Sequence, residues 1–132
     1  LEKIISTLQS RSKAPVRTTR ASKLFKTIIK AIKEKKGEAI VSLDLHNIDE
    51  AVADFFIVCE ATSYVQIRSI GDAIVDAVAR ECDEKPYHTE GGEQWTLIDY
   101  VNIVVHIFNK EQRKFYDLEG LWADAGRMEH TD

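Results

Sequence analysis

Cysteine is nearly absent, with only Cys59 in an apolar run and Cys82 near the end of a helical pattern. Two such thiols build neither a disulfide framework nor a thiolate metal cluster, which points to a reducing compartment. Long apolar runs are missing too. None approaches the ~20 residues that a bilayer-spanning helix requires, and no hydrophobic block near the N-terminus ends in a small-residue cleavage site. A soluble, non-secreted protein without membrane contact is expected. Acids are scarce at the start: between Leu1 and Lys36 only Glu2 and Glu34 oppose a crowd of Lys and Arg, although the formal net charge is -4. The remainder is therefore acidic. A basic head can touch phosphates without sequence preference, whereas an acidic body disfavours lying along nucleic acid over a whole face.

Signatures of catalysis are also thin. Asp44 and His46 stand two apart at a strand end and can share a side, much as paired carboxylates hold magnesium in nucleotidyl transferases. The second carboxylate is missing, however, and neither Gly37-Glu38 nor Ala61-Thr62-Ser63 makes a phosphate-cradling turn. The favoured reading is a strand-end Asp bonded to nearby backbone, and a divergent nucleotidyl transferase using Asp44 stands as the rival. His46, His88, His106 and His130 contain no i, i+4 helical pair and no Cys-x-x-Cys beside them, so neither metal nor cofactor is expected. His106 shares an apolar strand face with Val104 and Phe108 and reads as a core or semi-buried histidine with a satisfied ring nitrogen. Cys59 reads as a small hydrophobe.

What remains is enough for one domain: 132 residues, 44% of them hydrophobic. Residues 1–21, basic and broken by Pro15, read as a flexible extension with a short helix over Glu2 to Leu8. Ser22 caps a helix carrying Phe25, Ile28, Ile29 and Ile32 at helical spacing, and Gly37 stops it. Ala39 to Leu45 and Phe55 to Cys59 read as strands, and Ser63 caps a long helix through Ile67, Ile70, Ile74 and Val78 that ends before Pro86. Tyr87 to Thr89, Gln94 to Tyr100 and Ile103 to Phe108 are further strands, the last two an antiparallel pair. Asn109 with Gln112, and then Asp117, open short helices. The fold class expected is α/β of the α+β kind, one mixed sheet of about five strands with packed helices. The domain should cover residues 22–124, leaving 125–132 as a tail.

Aromatic side chains crowd the last third: Trp95, Tyr100, Phe108, Phe115, Tyr116 and Trp122. Along one strand Trp95, Leu97 and Asp99 alternate onto one face while Thr96, Ile98 and Tyr100 take the other. Either helices cover both faces or one awaits a partner. Large aromatics beside a carboxylate suit an interface hot spot, so Trp95, Leu97, Asp99 and Tyr100, with Tyr116 as a neighbour, are the candidate partner-binding residues.

Several blocks carry a resemblance. Trp95-Thr96-Leu97-Ile98-Asp99-Tyr100, Ile103-Val104-Val105-His106-Ile107-Phe108, Arg113-Lys114-Phe115-Tyr116-Asp117-Leu118-Glu119 and Leu121-Trp122 follow Ala53-Asp54-Phe55-Phe56-Ile57-Val58 and the helix opened by Ser63. Their order and spacing resemble those of the Iojap family of ribosomal silencing factors. The family commonly has Gly-Asp where this chain has Val101-Asn102. If that turn needs a left-handed residue, Asn102 should supply it, because a β-branched valine resists positive φ. Ala61-Thr62 likewise replaces a common Gly-Asn. The resemblance implies a nucleotidyl-transferase-like fold without its active site and a non-catalytic protein. It also implies binding to the large ribosomal subunit through ribosomal protein L-fourteen, a steric block to subunit joining and translational repression in starvation. It allows a homodimer, and the basic head leaves room for a non-specific rRNA contact. The location expected is the cytoplasm, with an organelle matrix or stroma as the alternative because residues 1–20 are similar to a transit peptide.

Overall fold

The computed structural model describes residues 8, 18–48 and 51–131. The expected short helix over Glu2 to Leu8, the flexible extension and its rRNA contact fall mainly outside these residues. Leu8 itself is helical and buried, and Thr18 is tied to the domain by its amide, which donates to the Asp54 carboxylate at 2.7 Å.

Helix α1 (Lys23–Glu34) begins where the Ser22 hydroxyl accepts the Phe25 amide, and it buries Phe25, Ile28, Ile29 and Ile32 as their spacing predicts. Its end differs from expectation. Lys36, with φ 64°, takes the left-handed position, while the Gly37 amide closes back on the Ile32 carbonyl at 3.0 Å. Gly37 is needed for space: a Cβ there would lie 2.4 Å from Ile32 Cγ2. Strand β1 (Glu38–Asp44) leads to β2 (Phe55–Ala61), and Ser63 then caps α2 (Tyr64–Cys82) by accepting the Gln66 amide. Asp83 at φ 51° ends that helix ahead of Pro86. Strands β3 (His88–Glu90), β4 (Trp95–Asp99) and β5 (Ile103–Asn109) follow, then α3 (Lys110–Tyr116), α4 (Leu118–Leu121) and β6 (Gly126–Glu129).

The six strands form one mixed sheet in the order β3-β4-β5-β2-β1-β6. Only β2 and β5 run parallel, Phe55 opposite Ile103 through Ala61 opposite Asn109, and both are buried along almost their whole length. The sixth strand was not expected. Gly126–Glu129, read from the sequence as tail, pairs with β1, Val41 facing Glu129 and Asp44 facing Gly126. Its side chains are all exposed, so no alternation of apolar residues announced it.

The sheet separates two apolar layers. Helices α1 and α2 pack on one face over Ile40, Phe55, Ile57, Ile98, Tyr100, Ile103, Val105 and Ile107. The opposite face carries Val41, Leu43, Phe56, Val58, Leu97, Val104 and Phe108, covered by Leu8, Leu118 and the partly buried Trp95, Tyr116 and Trp122. No helix among the described residues is long and apolar enough to cross a membrane.

Candidate functional site

The second face is where the aromatic residues gather. Trp95 lies against Phe108, Tyr116 and His106, with ring centroids 4.5, 5.0 and 5.7 Å apart. Phe56 links His106 at 4.7 Å to Trp122 at 5.8 Å. This continuous band is built by strand alternation, which puts Trp95 and Leu97 on the same side, and by α3 and α4, which bring Tyr116 and Trp122 back over it. Trp95, Tyr116 and Trp122 keep part of their surface in solvent, and next to Tyr116 stands Phe115, 78% exposed, with Leu121 of α4 52% exposed. Exposed apolar groups beside half-buried aromatics are what a docking surface presents.

The five residues marked from sequence separate into two groups. Trp95 and Tyr116 lie together at the rim of the band. Leu97 is buried beneath them, and Asp99 and Tyr100 are buried at the β4–β5 turn, Tyr100 on the helix-covered face. There the Asp99 carboxylate accepts the Val101 amide at 2.7 Å, and the Asn102 amide donates to the Tyr100 carbonyl at 2.9 Å. Val101, not Asn102, adopts the positive φ, 69°. The tertiary structure explains this reversal. The Asn102 carbonyl accepts the Asp54 and Phe55 amides and its side chain donates to Thr18 Oγ1, so Asn102 is fixed and the tight turn falls on Val101.

The other candidates resolve as follows. Asp44 Oδ1 accepts the His46 amide at 3.0 Å and lies 2.6 Å from His46 Nδ1, the backbone-bonded arrangement favoured from sequence. Burial raises the Asp44 pKa, but the bonds from His46 and the charges of His46 and Arg20 outweigh it and hold the carboxyl below its ordinary value. Among the described residues no His, Cys, Asp and Glu group is arranged to hold a metal ion. Cys59 is buried, and that burial pushes its thiol up to about 12, far from a nucleophile's range. His106 is a core histidine, and burial pushes it down to about 3.

Sequence reasoning passed over Arg113. Almost fully buried, it bonds both Glu119 oxygens at 3.0 and 3.1 Å, Glu60 at 3.1 Å and the Ala39 carbonyl at 2.6 Å. It thus ties α3 and α4 to β2 and to the irregularity in β1, where Ala39 has φ 47°. A lone Arg in a polar helix gives no sign of such a role, because its partners lie 6 and 53 residues away.

The family described as "Ribosomal silencing factor during starvation" matches residues 18–132, almost all of what has just been described. The chain belongs to the ribosomal silencing factor family. It is 38% identical to the ribosomal silencing factor RsfS of Halalkalibacterium halodurans over 108 residues, which cover 80% of this chain and 91% of that one. To the Bacillus subtilis RsfS it is 36% identical over 104 residues, 77% and 86% of the two chains. The chloroplastic Iojap protein of Arabidopsis thaliana matches at 33% over 75 residues, which cover 57% of this chain and 32% of that one. A crystal structure from Chromobacterium violaceum shares the fold at TM-score 0.70 and 27% identity, covering 76% of this chain and 83% of that one. One from Bacillus halodurans does so at TM-score 0.65 and 35% identity, covering 75% and 92%. The mixed sheet and the aromatic band thus sit within a silencing-factor domain that includes β6 and the Thr18 anchor.

Proposed function

We propose that this chain is a non-catalytic translational repressor that docks on the large ribosomal subunit through ribosomal protein L-fourteen and sterically prevents the small subunit from joining. The observation that carries the reading is the aromatic band from Trp95 to Trp122, partly open on the sheet face away from α1 and α2 in a silencing-factor domain. Trp95 and Tyr116 make the direct contacts. Leu97 supports them from beneath by packing and Asp99 by holding the turn that ends β4, while Tyr100 anchors the same turn from the helix-covered face. Occupying one intersubunit contact is enough for such a block, since two large particles cannot approach through it. The cytoplasm is the compartment this role requires if the ribosome is bacterial.

The test is sedimentation of purified large subunits with and without the protein, followed by addition of small subunits. We expect the protein to travel with the large subunit and joined ribosomes to fall in yield. A full yield at saturating protein would remove the silencing role, and sedimentation of the protein alone reports on a homodimer. The enzymatic rival rests on Asp44, whose carboxylate is already engaged by His46. Calorimetry with nucleoside triphosphates and magnesium decides it: specific micromolar binding that vanishes in Asp44→Ala would favour the enzyme.

A further inference from the structure

On the face of the sheet that bears the helices, the helical layer stops short. Helix α2 covers β4, β5 and β2, and α1 lies beside it, its Phe25 ring 5.0 Å from Phe55 of β2. Past α1 only the edge strand β6 stays open, since Ile40 and Ser42 of β1 are buried and the His130 ring lies 5.5 Å from Phe25. In that place lies a groove of ≈ 650 Å³ lined by Phe25, Ile29 and Met128 on its apolar side and Lys26, Lys30 and Lys33 along its rim. It continues past His130 towards Lys36.

The lining is unlike the rest of the molecule. Among the described lining residues Arg20, Lys26, Lys30 and Lys33 meet one acid, Glu34, in a protein whose net charge is -4. Arg20 also faces Asp44 at 3.8 Å, so the lysines of α1 dominate the rim. The apolar floor separates this groove from a simple phosphate-binding surface, which needs cations but no buried-face hydrophobes. Met128 is 43% exposed at the floor, although its neighbour across the ladder, Ser42, is fully buried.

We infer that this groove docks an acidic amphipathic helix of a partner protein, laid beside α1 with apolar residues on Met128 and the outer edge of Ile29 and carboxylates towards Lys26 and Lys30. This surface is separate from the aromatic band, on the other face of the sheet, and would let the protein hold a second partner while it occupies the ribosome. Helix-in-groove docking of this kind reads out as apolar anchors at i, i+3, i+4 and i+7 with charge fixing the direction.

The probe is a synthetic helical peptide of Leu, Ala and Glu, about 14 residues long with Leu at those spacings, titrated into the isotopically labelled full chain. The comparison probes are an all-Glu peptide and a single-stranded RNA of the same length. Amide shifts should concentrate on Lys26, Ile29, Lys30, Met128 and His130, with the amphipathic peptide the tightest binder. Affinity should fall about tenfold in the Lys26→Glu, Lys30→Glu double variant and by a similar factor in Met128→Glu, all at exposed positions whose change leaves the fold intact. Tighter binding of RNA, shifts mapping elsewhere, unchanged affinity in either variant, no binding at all, or a homodimer dissolved by Lys26→Glu would each overturn the proposal.

Discussion

Trp95 Nε1 donates a hydrogen bond to His106 Nδ1 across 3.2 Å, joining the open aromatic band to the interior of the sheet. The bond requires an unprotonated Nδ1, and burial favours the same neutral ring by pushing the His106 pKa down to about 3. An unfolded imidazole protonates near its ordinary value of 6.5, so the unfolded state binds more protons between about 6.5 and 3. Stability should therefore decline as pH falls through that window, by up to about 1.4 kcal/mol per pH unit from this residue. His106→Phe keeps a ring in place and removes the titration. In urea unfolding at pH 7 and 4.5, its loss on acidification should be about 2 kcal/mol smaller than the parent's. Equal losses would mean that His106 is not the buried neutral group described.

Arg113 supplies a second test, because it is the near partner of both Glu60 and Glu119 in a largely buried network, with Arg127 farther from Glu119 at 3.7 Å. Replacing it by Met should destabilise the protein by about 3–5 kcal/mol, chiefly by stranding the two carboxylates. Adding Glu60→Gln and Glu119→Gln should restore a substantial part of that loss. Arg113→Lys should fall between, since an ammonium cannot reproduce the forked contact with Glu119. If the triple variant is no more stable than Arg113→Met, the explanation by uncompensated charge is wrong.

Val101 holds a φ of 69°, which a β-branched residue adopts only under constraint. Val101→Gly should raise stability by about 1 kcal/mol, the relief of strain exceeding the added flexibility of the unfolded chain. A thermal melt is the measurement, and a lower midpoint would show that valine's packing outweighs its backbone cost.

Tyr100 is 6% exposed, and its hydroxyl finds no hydrogen-bond partner among the described residues. Burial, with Glu84 and Cys82 nearby, pushes that hydroxyl up to about 12. Tyr100→Phe should thus be neutral or slightly stabilising, whereas Tyr100→Ala should cost about 3–5 kcal/mol by opening a cavity. Reduced ribosome binding in Tyr100→Ala would then reflect folding.

Docking is better read from Trp95 and Tyr116, which share the rim of the band. Tyr116→Ala should weaken large-subunit binding at least about tenfold, as hot-spot truncations do, with a modest change in melting temperature. Glu129→Ala, on the exposed strand β6, should bind as the parent does. Matching affinities for Tyr116→Ala and parent would displace the proposed contact from this face.

The sequence by itself determined what depends on neighbours along the chain. Ser22, Ser63 and Asn109 cap helices, apolar spacing sets their buried faces, and alternation sends Leu97 and Ile98 to opposite sides of the sheet. These follow from local hydrogen bonding and from the 3.6- and 2-residue periods. Tertiary structure decided whatever depends on distant partners. Val101 rather than Asn102 takes the strained turn because Thr18, Asp54 and Phe55 hold Asn102. Gly126–Glu129 becomes a strand because β1 offers it a free edge, not because its own residues favour one. Arg113 is buried because Glu60, Glu119 and the Ala39 carbonyl converge on it. Tyr100 and Asp99 lie inside while Trp95 and Tyr116 stay at the rim, because the elements folding over each sheet face, not strand alternation, decide how much of that face remains open.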